Sequence, residues 1–79
     1  MKRAVLLLMH QGKSFTEEAA AATAGLGLTL VALSSRPEAP EALDASRRHL
    51  ADCVVTEEPE LRFGDVEKAV RELADRGYR

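Results

Sequence analysis

Residues able to do chemistry gather in two short stretches, His10-Gln11-Gly12-Lys13-Ser14 and Ser34-Ser35-Arg36. The first is polar and holds the first glycine of the chain, directly after the apolar run Ala4–Met9 (AVLLLM). A lysine beside the free N–H groups of a helix start is one way to receive a carboxylate or phosphate. In that reading Lys13 and the N–H groups of Ser14–Thr16 face an anion; in the other, Gly12 only makes the turn and Lys13 is solvated. Gly12-Lys13-Ser14 resembles the end of a phosphate-binding loop, but the residue five before Gly12 is Leu7, not glycine. The loop is also too short to wrap a phosphate chain, and no acidic residue closes a later apolar run to hold magnesium.

The dinucleotide fingerprint fails as well, because a single glycine stands between Gln11 and Lys13. Where an acidic residue would hold a ribose hydroxyl, the chain has Ser34-Ser35-Arg36, a set suited to a 2′-phosphate. An NADP-binding half-domain is therefore one alternative. His10 and His49 lack a second ligand at metal spacing, so no metal is expected. His10 reads as a surface histidine, with a ligand contact at the strand end as the competing reading. Cys53 is the single cysteine, which excludes an internal disulfide, and Val54 and Val55 beside it mark a small core residue. No nucleophile–base pair, carboxylate pair or triad can be assembled. The expected catalytic set is empty.

The elements that position these stretches follow from hydrophobic periodicity. Ala4–Met9, Leu28–Leu33 and Asp52–Thr56 read as strands, the first two apolar on both faces. Between them Ser14–Ala24 reads as a helix with small side chains, opened by a Ser14–Glu17 capping box and stopped by Gly25. A short helix is predicted over Glu41–Arg48, with Pro40 in its first turn and Ala42, Leu43 and Leu50 turned inward. In the last helix Val66, Ala69, Val70, Leu73, Ala74 and Tyr78 form one apolar stripe. Its other positions are charged and read as a solvated face, with Glu67–Arg71 and Glu72–Arg76 in the favourable i,i+4 order. Asp65 is its expected N-cap and Gly77 its stop.

This order predicts an α/β fold, a Rossmann-like three-layer sandwich of three parallel strands in βαβ(α)βα order, over residues 1–79. Right-handed crossovers place the loops after the strands at the carboxyl edge, where such sheets bind ligands. The fourth strand of the common doubly wound order would lie beside the first, so AVLLLM is expected to present an unpaired apolar edge. The sheet is thus expected to be incomplete, and the chain to be the front piece of a longer protein or to be completed by another chain.

Composition narrows the partners. With 11 Lys+Arg against 13 Asp+Glu in 79 residues, the net charge of −2 gives no case for nucleic acid or an anionic membrane. Lys2-Arg3 before AVLLLM imitates a leader peptide, but the apolar run stops after six residues and no cleavage site follows. A cytoplasmic, soluble chain is expected.

The whole chain resembles the N-terminal, pre-ATP-grasp domain of ATP-grasp carboxylate–amine ligases. The resemblance rests on the strand with its short glycine-containing loop, the Ser14-Phe15-Thr16-Glu17 helix start and the Gly25-Leu26-Gly27-Leu28 entry to the second strand. Pro37-Glu38-Ala39-Pro40, Ala51-Asp52 before the third strand and the Asp65-Val66 helix start complete it. His10-Gln11 departs from the pattern, standing where many relatives have small residues. The resemblance implies that ATP and magnesium are held by later domains and that this domain faces the carboxylate or amine substrate. It carries Gln11, Gly12, Lys13 and Ser14, together with Ser34, Ser35 and Arg36, to positions facing the cleft. It further implies activation of a carboxylate as an acyl phosphate and its transfer to an amine, with this chain inactive by itself. The implied partners are the remaining ATP-grasp domains or a completing chain along the first strand, a second copy included. Besides the NADP half-domain, a flavodoxin-like interaction or regulatory module is the alternative from another class.

Overall fold

Runs of leucine, valine and alanine bounded by glycine and proline form strands that must be covered on both faces. The computed structural model describes residues 3–79 and has this organisation. Its elements are β1 (Ala4–Met9), α1 (Thr16–Gly25), β2 (Thr29–Ser34), α2 (Pro40–Arg47), β3 (Asp52–Val55) and α3 (Phe63–Asp75). The three strands are parallel in the order β1-β2-β3, with Ala4 opposite Thr29 and Val31 opposite Asp52. The fold is a small, incomplete α/β sandwich of the expected class.

Side chains alternate across the sheet, and the burial follows that alternation. On one face Met9, Ala32 and Leu43 of α2 form the core, with Leu7, Leu50, Cys53 and Val55 packed against it. On the other, Leu6 and Val31 meet Val70 and Leu73 of α3 around one hollow. β2, the central strand, is buried from Leu30 to Ser34. β1 is an edge, as its sequence requires: Leu8 is 51% exposed.

Helix ends depart from expectation in three places. No Ser14–Glu17 capping box forms; α1 begins at Thr16, with Phe15 at its N-cap and no side-chain cap. The cause lies in the loop, where Lys13 exchanges both backbone hydrogen bonds with His10 and delays the helix. Gly25 stays helical, and the left-handed stop is Gly27, at φ +69°. The Leu28 N–H donates to the Thr23 carbonyl and the Gly27 N–H to that of Ala24, the double closure of a Schellman motif. Asp65 is not the N-cap of α3 but sits one turn inside, where its Oδ2 accepts the Arg62 N–H at 2.9 Å. A carboxylate serves the same orphan donors from there, so the helix gains three residues, Phe63, Gly64 and Asp65, at its start. Gly77 does stop α3: it has φ +99°, and the Tyr78 N–H donates to the Leu73 carbonyl.

The apolar stripe of α3 is only partly inward. Ala69 and Leu73 are buried, whereas Val70 is 51% exposed, because it overhangs the open side of β1. Of the two predicted helix pairs, Glu72–Arg76 forms at 2.8 Å, and Arg76 also reaches Asp52 at 2.8 Å. Both pairs lie in solvent, where screening removes most of their worth. Arg76→Ala is accordingly expected to leave the thermal midpoint unchanged; melting curves at low and high salt check this.

Candidate functional site

Successive positive φ values of +50° at Gln11 and +81° at Gly12 turn the chain in two residues. With the reciprocal His10–Lys13 bonds of 3.1 and 2.9 Å, they form the kind of turn that closes a two-residue hairpin. Three backbone groups of the turn are held by serine hydroxyls. The Gln11 N–H donates to Ser35 Oγ at 2.7 Å and the Gly12 N–H to Ser34 Oγ at 2.8 Å. Ser34 Oγ in turn donates to the Ser35 carbonyl at 2.7 Å, and Ser46 Oγ donates to the Gly12 carbonyl at 2.8 Å.

The structure thus brings together Gln11, Gly12, Ser34 and Ser35, four of the seven candidate residues. It joins them as partners of one another. Ser34 and Ser35 are wholly buried, and their hydroxyls are engaged with the turn. A 2′-phosphate would have to break those bonds, which removes the main support for an NADP site. The remaining three, Lys13, Ser14 and Arg36, are exposed around this base. The Arg36 N–H donates to the Glu58 carbonyl at 2.8 Å, so the loop after β3 lies across the same edge.

Ser46 is the participant that sequence reasoning missed. Its signal was faint: a small polar residue three positions after Leu43, hence on the same inward face of α2. The close approach of α2 explains Gly12. A Cβ there would stand 3.0 Å from the Leu43 backbone nitrogen and 3.1 Å from its Cα.

The edge is of mixed charge, with Glu57, Glu58 and Glu60 exposed on the loop after β3 beside the exposed Lys13 and Arg36. Lys13 and Arg36 border the turn, whereas Glu17 and Glu18 occupy the first turn of α1 and oppose an anion at its N-terminus. Cys53 is half-buried, and burial pushes its thiol up against the opposing pull of the Arg47 guanidinium. That favours the neutral thiol over the nucleophilic thiolate. His10 is exposed, as a surface histidine should be. Among the described residues no group of three or more His, Cys, Asp or Glu side chains is placed to hold a metal ion. None of the described helices is long and apolar enough to cross a membrane.

No family model matches the sequence, and no curated protein or solved structure resembles it at a significant level.

Proposed function

We propose that this chain is the substrate-side wall of an ATP-dependent carboxylate–amine ligase, a binding domain without catalysts of its own. The observation that carries this reading is the carboxyl edge: a turn locked by buried serines that leaves Lys13, Ser14 and Arg36 free above it. Side chains held on a rigid base meet a small ligand at low entropic cost. Lys13 and Arg36 suit a carboxylate, Arg36 by a two-pronged contact and Lys13 as a point charge. Ser14 adds a hydroxyl that donates or accepts.

The residues present do not fit ATP and magnesium. The N–H groups of Gln11 and Gly12, the natural phosphate cradle of such a loop, already donate to Ser35 and Ser34. No step through the nucleotide is derived for this chain; in the proposal, nucleotide and metal belong to further domains.

Titration of ¹⁵N-labelled chain with small carboxylates, amino acids, ATP and NADP tests the reading. The expected result is weak, saturable shifts from carboxylates at the Lys13, Ser14 and Arg36 amides, with none from either nucleotide. Shifts from NADP or ATP at these loops, or no shift from any carboxylate, overturn it.

A further inference from the structure

Even-numbered residues of β1 face α3, and α3 covers them unequally. Ala4 and Leu6 line the hollow shared with Val70, Leu73 and Tyr78. Leu8, the next residue on that face, is 51% exposed. It lines a second hollow at the carboxyl end of β1, together with Met9, His10, Glu60 and Leu61. The volume is about 370 Å³, within the range of about 300–1,000 Å³ common to small-ligand sites. None of these five residues is among Lys13, Ser14 and Arg36, on which the ligase reading rests.

The two walls of the hollow come from distant parts of the sequence, and hydrogen bonds join them. Gln11 Nε2 donates to the Pro59 carbonyl at a long 3.4 Å, and the Arg36 N–H donates to the Glu58 carbonyl at 2.8 Å. The first of these ties the residue after His10 to the residue before Glu60. His10 is itself held by its two backbone bonds to Lys13. Leu8 and Leu61 make the hollow apolar, while Glu60 brings a carboxylate to it and His10 an imidazole. Glu60 has no ion-pair partner among the described residues, where Arg76 alone forms such pairs, with Asp52 and Glu72. On the exposed loop around it, Glu57, Glu58 and Glu60 outnumber Lys13 and Arg36.

We propose that this hollow binds a small molecule bearing a primary ammonium on a short hydrocarbon body. The body lies on Leu8, Met9 and Leu61 and takes from water the apolar surface that α3 leaves bare. An ammonium carries three donors; the Glu60 carboxylate accepts one, and a neutral imidazole at His10 has a nitrogen to accept another. Charged donor and charged acceptor together make the stronger class of hydrogen bond. An anionic head meets the carboxylates of the loop, and a neutral alcohol leaves the charge of Glu60 without a counterpart. The inference stands apart from the ligase reading: it depends on Leu8 and Glu60, whatever Lys13 and Arg36 bind.

Four probes added to the ¹⁵N-labelled chain decide it: hexylamine, ethylamine, 1-hexanol and hexanoate. Hexylamine should give saturable shifts at the Leu8, His10, Glu60 and Leu61 amides. It should bind at least about threefold more tightly than 1-hexanol, through the charge pair. Over ethylamine the gain should be at least about tenfold, through the additional methylenes it buries. Hexanoate should leave these amides unmoved even where it shifts Lys13, Ser14 and Arg36. Glu60→Gln, at an exposed position that folding tolerates, should erase the preference for hexylamine over 1-hexanol. Absence of saturable hexylamine shifts, equal affinity for hexylamine and 1-hexanol, or an unchanged preference in Glu60→Gln overturns the proposal. Hexylamine shifts of the same size at Glu41, an exposed acid of α2 outside the hollow, overturn it too, as charge attraction alone. Failure of every carboxylate to shift Lys13, Ser14 and Arg36 counts against the ligase reading and leaves this one standing.

Discussion

Replacing Gly12 by alanine is expected to destabilise the protein by about 2–5 kcal/mol, a large share of what a domain of this size possesses. Two costs add. Gly12 sits at φ +81°, where a Cβ costs about 1–2 kcal/mol. That Cβ would also stand 3.0–3.1 Å from the backbone nitrogen, Cα and Cβ of Leu43. Backbone of α2 gives way only if the helix moves, so overpacking adds about 1–3 kcal/mol. Together they should lower the thermal midpoint by at least about 10 °C. Gly27→Ala is the matched control, because Gly27 is left-handed at φ +69° but has no atom within 4 Å of its Cβ position. The Gly27 variant should lose about half as much or less. Equal melting points for the two variants would mean that α2 does not press on the turn.

Ser34→Ala is expected to cost about 1–3 kcal/mol, the range for leaving a buried donor without an acceptor. Ser34 is wholly buried, and its Oγ is the acceptor for the Gly12 N–H. Alanine keeps the volume nearly constant and removes only that oxygen, so the loss reports its two hydrogen bonds, with the Gly12 N–H and the Ser35 carbonyl. Urea unfolding measures it, and faster exchange of the Gly12 amide locates it. Ser14→Ala, at an exposed residue with no cap bond, should stay within about 0.5 kcal/mol. A Ser14→Ala loss as large as that of Ser34→Ala would restore the capping box at the start of α1.

Much of the fold was legible because hydrophobic pattern is a local signal. β2 is apolar at consecutive positions, and the structure buries it on both faces. The unpaired edge of β1 followed from strand order and direction, and it is present. Helix ends were read less well, because the two-residue turn at Gln11-Gly12 shifts the start of α1 past the residue best suited to cap it. In the candidate site, residue types did not reveal that Gln11 and Gly12 bond to Ser35 and Ser34. Serines suited to a phosphate are equally suited to an N–H group, and only three dimensions reveal which lies nearer. The bonds in question span 22 and 24 residues of sequence, and nothing in local composition encodes such a pairing.

The bond from Ser46 to the Gly12 carbonyl spans 34 residues and has a consequence for the order of folding. The first strand and its loop are synthesised early, yet the groups that hold the loop arrive with β2 and α2. Until Ser46 has left the ribosome, the turn at Gln11-Gly12 lacks part of its lock, and the cost of closing so long a chain segment is still outstanding. The Gln11-Gly12 turn therefore takes its final shape only after α2 has been made. Truncation or delay within α2 would be felt at Gly12, 34 residues before Ser46.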